Sequence, residues 1–270
     1  RDTLSNNFNF KNNTINLSAI IKLKGLLKKS DTKKTASKIN TKSRLLLPVK
    51  ALDIQMAGRI GTDTDTHSKV AIAYGLRNDI SIGISNSNYL NTYDFFAKTN
   101  YFNKLVDKFE YPINLVYNSI ISTQLEKPII IDELDRLNFL HQLIIEYKIK
   151  SNIRLNLAPT YLHKNIADTK LEPKGYPWDI WFLETGVDWA FKENIEIYGN
   201  IIQQMTDVDI SQGSQSSIKF GLQYFIKTLV LDLSITNLYH LHGTAIIDDI
   251  GVNDYTEKFR IGFQINKMFN

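Results

Sequence analysis

Histidine, serine and mixed charged side chains are the groups in this sequence whose spacing could do chemistry. His240 and His242 lie two apart on a strand-like segment, with Asp248 and Asp249 nearby. On a strand, positions i and i+2 point the same way, so both imidazoles could meet one cation such as zinc or copper. Spacing supplies no third ligand, and two solvated loop histidines are the competing reading. They remain candidates only, and no metal or other cofactor is assigned. His141 lies on the apolar face of a long strand, as a lipid-facing hydrolase would display it, but the position two residues on is Leu143. Motif spacing assembles neither a Ser-His dyad nor an Asp/His cluster, so the reading is not an enzyme and His141 is an interfacial residue. Gly58, Gly61 and Gly83 form no phosphate cradle, and no Gly-Lys-Ser/Thr occurs.

The other chemistry-bearing set is charged. Strand parity puts Asp53, Arg59, Lys69, Glu146, Lys148, Arg154, Glu184, Asp188, Glu196, Lys219, Asp232 and Arg260 on one side of their strands, opposite the apolar side. Of these, Arg59, Lys69, Arg154, Glu184, Asp188, Lys219, Asp232 and Arg260 are the candidates to line a lumen. Such groups either pair across a closed lumen or border a narrow path for small polar solutes.

The elements that would position them follow from composition and pattern. The chain has 270 residues, no Cys and 6 Pro, is 43% hydrophobic and 22% charged, and carries a net charge of +4. Mean hydropathy is -0.21. No run of about 18 apolar residues occurs, so no transmembrane helix is expected. Absence of Cys excludes disulfides and thiolate chemistry and suits a chain crossing an oxidising compartment. No basic, apolar leader opens the chain at Arg1, which reads as a processed form. Residues 1–50 carry twelve Lys/Arg against Asp2 and Asp31, a net +10, which leaves −6 for the remainder. The basic character belongs to an N-terminal arm.

From about Val49 onward the dominant signal is alternation with a period of two. Leu52, Ile54, Met56 and Ile60 alternate with Asp53, Gln55, Ala57 and Arg59, and Ile80, Ile82 and Ile84 with Ser81, Gly83 and Ser85. The pattern recurs near 66–77, 92–102, 112–124, 136–149, 153–163, 179–191, 195–205, 217–226, 229–238 and 257–269, about twelve strands in all. Their length matches the roughly 9–11 residues of a tilted strand crossing a bilayer rather than the ~5–6 of ordinary globular strands. Every second connection is tight: 77–79, 150–152, 192–194 and 227–228, with only the link near 103–111 longer. The alternate connections are longer or polar. Short turns on one side and long loops on the other are the signature of a transmembrane antiparallel up-and-down β-barrel, here with both termini expected in the periplasm.

Aromatic residues repeat the sorting. Phe139, Tyr147, Trp181, Trp189, Phe220, Tyr224, Phe259 and Phe269 stand near strand ends on the apolar face, where rings favour the two membrane interfaces. The last strand alternates Phe259, Ile261, Phe263, Ile265, Lys267 and Phe269 with polar or small residues. A closing amphipathic strand ending on Phe looks like the signal read by barrel-assembly machinery. Lys267 sits close enough to the end to snorkel.

The stretches Tyr74–Ser85 (YGLRNDISIGIS), Tyr93–Lys98 (YDFFAK), His141–Asn165 (HQLIIEYKIKSNIRLNLAPTYLHKN) and Gly186–Tyr198 (GVDWAFKENIEIY) resemble a Bacteroidota family of outer-membrane β-barrel proteins grouped as a domain of unknown function. The resemblance covers roughly residues 45–270 and implies fold and compartment, with no established activity.

Residues 1–45 are expected to form a basic periplasmic arm and linker, and residues 46–270 the barrel. Within the arm, Ile15, Ala19, Ile20, Leu23, Leu26 and Leu27 recur at near-helical spacing with Lys between them. That segment could lie on the inner leaflet, plug the lumen, dock a partner, or remain a disordered leader. The function expected is a narrow, porin-like channel for small polar solutes; the alternative is a structural or docking subunit of a larger envelope assembly. Expected partners are outer-membrane lipid and lipopolysaccharide, the assembly machinery and possible envelope proteins, with no nucleic acid.

Overall fold

A computed structural model describes residues 46–61, 66–103, 113–126, 137–165, 179–206, 216–238 and 259–269. The alternating segments form twelve strands: β1 Leu52–Ile60, β2 Thr66–Arg77, β3 Ile80–Ser87, β4 Thr92–Thr99, β5 Ile113–Gln124, β6 Leu137–Lys150, β7 Ile153–Lys164, β8 Asp179–Lys192, β9 Ile195–Gln204, β10 Ser217–Ile226, β11 Leu229–Thr236 and β12 Arg260–Phe269. Each pairs antiparallel with its sequence neighbours, and β1 pairs with β12, so the sheet closes. Closure runs from Leu52↔Phe269 to Ile60↔Ile261 without a break. It leaves no unpaired edge, which a sheet inside hydrocarbon requires because no water is there to satisfy free backbone groups.

Two-residue links join β2–β3 (Asn78, Asp79), β6–β7 (Ser151, Asn152), β8–β9 (Glu193, Asn194) and β10–β11 (Lys227, Thr228) at the end where β1 begins and β12 finishes, called the termini end below. Lys227 takes a φ of 52°, a left-handed turn conformation, whereas the other three links sit beside a register shift in the preceding strand. The longer β4–β5 link, residues 100–112, is at the termini end too; the opposite end carries the other six connections and is called the loop end below.

Two boundaries differ from the pattern reading. β4 ends at Thr99 rather than near 102, because Asn100–Asn103 fold into a turn in which Asn103 N donates to Asn100 O at 2.8 Å. The β3–β4 connection at the loop end is only four residues long, and is a 3-10 turn at Tyr89–Asn91 with Leu90 and Asn91 at positive φ.

Outward positions are apolar around the whole circumference, among them Met56, Ile84, Phe95, Ile121, Leu157, Ile201, Leu222, Leu233 and Phe263. Exposing so much contiguous apolar surface to water would be untenable, whereas against lipid it is the required exterior. An arginine at Leu233, midway along β11, is therefore expected to cost about 2–4 kcal/mol of stability in vesicles, read from the urea midpoint. A loss below about 0.5 kcal/mol, the ordinary effect of a surface change, would contradict a lipid-facing β11.

Candidate functional site: the barrel interior

Inward side chains make up the site. Arg59, Lys69, Glu184, Asp188, Lys219, Asp232 and Arg260 are all buried and inward-facing, and Arg154 is half-buried beside Glu196. Asp53, Glu146 and Glu196 join them. Odd-numbered strands run toward the loop end and even-numbered ones away from it, so position along a strand gives height in the lumen. Arg59, Lys69, Lys219 and Arg260 all fall near the loop end, where Asp94 is the one buried acid among the described residues. Asp53, Glu146, Glu184, Asp188, Glu196 and Asp232 lie in the middle or toward the termini end, against Lys98 and Arg154. The lumen is thus graded along its axis, basic at the loop end and acidic toward the termini.

Burying charges is costly unless they are paired or hydrogen-bonded, and the lumen holds two ion pairs, Lys69–Asp94 and Arg154–Glu196, with further polar bonds around them. Asp94 accepts from Lys69 Nζ at 2.5 Å, from Ser122 Oγ at 2.5 Å and from Ser85 Oγ at 2.9 Å. Asp232 accepts from Tyr198 Oη at 2.8 Å and Gln223 Nε2 at 2.6 Å. Arg154 pairs with Glu196, Asn156 donates to Asp188, and Arg59 Nη1 donates to Leu238 O at 3.2 Å. Several of these partners skip a strand, and inward glycines make the crossing possible. Tyr198 on β9 reaches Asp232 on β11 over Gly221, where a Cβ would sit 2.4 Å from the Tyr198 ring. Likewise Phe96 lies over Gly83, with its ring 2.3 Å from where a Cβ would stand.

Toward the loop end, on the wall opposite Arg59, Lys69, Lys219 and Arg260, apolar side chains pack into the lumen. Ile120, Leu140, Leu162, Ile180, Phe182 and Ile202, from five successive strands, form a buried cluster that Leu238 and Phe96 reach from elsewhere on the wall. Val116, Ile144 and Ala158 form a smaller cluster on the same wall. Leu140, Leu162 and Ile180 are 0% exposed, although a wide water-filled pore would wet them. At this level the described residues pack against one another rather than line a wide water-filled pore.

Outside the barrel, Tyr147, Trp181, Trp189, Tyr224 and Phe259 are exposed, and Phe139 and Phe269 partly so. Tyr161 and Trp181 pack ring on ring at 5.0 Å. Spacing along one strand gave His141 no serine, but β5 supplies one: Ser119 Oγ stands 3.3 Å from His141 Nδ1, and Tyr117 Oη stands closer, at 2.7 Å. His141 also stacks with Tyr161 at 6.2 Å. The phenol is the better partner of that nitrogen, so the cluster reads as an aromatic belt whose polar atoms satisfy one another, not as a charge relay. His240 and His242 lie outside the described residues, as do residues 1–45.

Asp94, Lys98 and the apolar clusters are what the pattern reading missed. In β4, adjacent Phe95 and Phe96 blur the alternation, hiding that Asp94, Phe96 and Lys98 share the inward face. Gly83 opposite Phe96 was the available signal. In β6, Phe139–Leu140 and Leu143–Ile144–Ile145 are apolar on both faces, which marks a strand buried on both sides.

Residues 52–269 match the family model described as Membrane bound beta barrel domain (DUF5777). The chain belongs to that family. A comparison with curated proteins gives no match. Among solved structures, the DUF5777 barrel is similar to the KdgM porin, with a TM-score of 0.53 at 10% identity over 80% of this chain and 98% of that one. It is similar to the NanC porin at a TM-score of 0.53 and 9% identity, over 81% and 99% of the two chains. At such identity the likeness is one of fold: a closed antiparallel barrel of porin type. Those neighbours are porins, and no enzyme family is indicated for the DUF5777 barrel.

Proposed function

We propose that the protein is an outer-membrane channel, narrow and closed at rest, for small polar solutes, with its termini in the periplasm. The observation that carries this reading is the charged interior. An inert anchor could be filled with aliphatic side chains, yet this barrel buries ionisable groups in arranged pairs and grades them along the axis. At the loop end the basic side chains Arg59, Lys69, Lys219 and Arg260 outnumber the buried acid Asp94, a net balance that favours anionic or hydrogen-bonding solutes at that mouth. A solved neighbour, the KdgM porin, has been captured with oligogalacturonate, an acidic sugar polymer; that binding belongs to the neighbour, and only the likeness of fold supports the comparison. A Gram-negative envelope, of Bacteroidota type on the motif resemblance, is the setting, with β12 the strand offered to the assembly machinery.

Planar-bilayer recording of the full chain tests this. Conductance should be small, and either Arg154→Gln or Asp188→Asn should alter it. Large, steady conductance unaffected by both changes would overturn the proposal. The apolar cluster across the lumen favours a second reading, a sealed barrel serving as a docking subunit. Complete silence in both variants, with stable co-purification of other envelope proteins, would favour that one.

A further inference from the structure

One row of lumenal side chains is only partly satisfied by the wall that carries it. Ser81 on β3, Lys98 on β4, Asn118 on β5, Gln142 on β6 and Thr160 on β7 stand directly opposite one another in successive ladders. All five are buried on the inward face. Directly opposed residues have Cβ atoms about 4.5–5.5 Å apart, so the row is continuous across five strands. It lies between two apolar layers. Ile120, Leu140 and Leu162 pack on its loop-end side, and Val116, Ile144 and Ala158 on its termini-end side. Polar contacts made between such layers are stronger than the same contacts in water.

The groups of this row differ from those around Asp94, which satisfy one another. Lys98 is 8% exposed and forms no ion pair or hydrogen bond with a described residue. Its ammonium lies 5.1 Å from the centroid of the Phe96 ring, and Asp53 attracts it from beyond ion-pair distance. Asn118, 2% exposed, and Gln142 each carry a buried side-chain oxygen that accepts nothing from the described residues. Gln142 Nε2 donates to Thr160 Oγ1 at 3.0 Å, and that bond decides which end of the carboxamide is the acceptor left over. Leaving such groups unmade is costly, so three in one row point to a partner from outside the wall.

Their chemistry describes that partner. An ammonium calls for an anionic oxygen, and carboxamide oxygens call for hydroxyl donors. A neutral sugar leaves the ammonium unpaired, and a simple aliphatic carboxylate leaves the two amide oxygens so. We propose that the row is a solute-binding station in the lumen for small hydroxylated carboxylates of the sugar-acid class. Lys98 takes the carboxylate, Asn118 and Gln142 accept from hydroxyls, and the Ser81 hydroxyl flanks the ammonium. This rests on the channel reading above and names the class of solute the channel selects.

The test titrates the full-length protein in detergent with sodium glucuronate, glucose and sodium acetate by calorimetry, with heat-modifiable mobility confirming that each variant is folded. Glucuronate should bind saturably, with glucose and acetate weaker by about tenfold or more, the worth of a hydrogen bond to a charged group. Lys98→Met and, independently, Asn118→Leu should each weaken glucuronate by a similar factor, while Lys150→Gln, exposed at the end of β6, should not. Swelling of protein-loaded vesicles in glucuronate separates this site from the channel. Binding that Lys98→Met abolishes, without entry into vesicles, keeps the site and overturns the channel reading. Entry at one rate in parent and both variants, with no saturable heat, overturns the site and leaves the channel. Glucuronate no tighter than glucose or acetate would mean that water alone bridges the row, and the proposal falls. Neither heat nor entry would overturn both.

Discussion

Replacing Asp94 by alanine is expected to cost about 3–5 kcal/mol of stability, the effect of breaking a buried ion pair from one side. Asp94 receives Lys69, Ser85 and Ser122 on a lumen wall where its side chain is 4% exposed and that of Lys69 6%. Removing the carboxylate leaves an ammonium and two hydroxyls without the acceptor that offsets their burial. The loss should appear as a lowered urea midpoint in vesicles and an earlier loss of heat-modifiable mobility. Asp94→Asn keeps an acceptor oxygen and should lose less. A further change of Lys69 to Met in the alanine background should restore part of the loss, since it removes the stranded charge. An alanine variant within about 0.5 kcal/mol of the parent, the range of neutral surface changes, would mean the network is solvated rather than buried.

Leu162→Ser is the second large expectation, and it acts on both stability and conductance. Leu162 is fully buried in the cluster formed with Ile120, Leu140, Ile180, Phe182, Ile202 and Leu238. Truncating a buried leucine removes its transfer energy and leaves a cavity, typically about 2–5 kcal/mol together, and the hydroxyl adds a polar group to an apolar site. On the proposed channel reading, the same change invites water into the apolar layer, because apolar constrictions gate by staying dry. Conductance should rise several-fold over that of the unchanged chain, while Leu162→Ile, which keeps the volume, should leave it near the parent's. Equal, immeasurable conductance in parent and serine variants would mean the cluster is not the seal.

Much of the wall is legible in the sequence itself. Alternation sorts Ile80, Ile82 and Ile84 from Ser81 and Ser85 without reference to any other strand, and tight links such as Asn78–Asp79 mark the hairpins locally. The interior was less legible, because its chemistry depends on register. Ser119 meets His141, and Arg154 meets Glu196 two strands away, only once the ladders are aligned. Charge grading along the axis needs both strand direction and height, so it emerges from the topology and not from any single segment. The segment just ahead of β1 is hidden for a different reason. Leu46, Leu47 and Pro48 show no alternation of their own, and only the missing side chain at Gly75 shows where Leu47 and Pro48 go. Phe95 and Phe96 show the limit of the parity rule: two adjacent aromatics face opposite ways, one to lipid and one across Gly83.

The most direct test of a lipid-facing wall around a sequestered polar interior is single-cysteine labelling along β11, possible because the chain has no Cys of its own. Cysteines would replace Leu231, Asp232, Leu233, Ser234 and Ile235 one at a time in protein reconstituted into vesicles. Positions 231, 233 and 235 should react with a membrane-soluble thiol reagent and resist a charged one, while 232 and 234 should resist the membrane-soluble reagent and react slowly with the charged one. Rapid reaction of all five with the charged reagent, or no alternation between odd and even positions, would contradict the account.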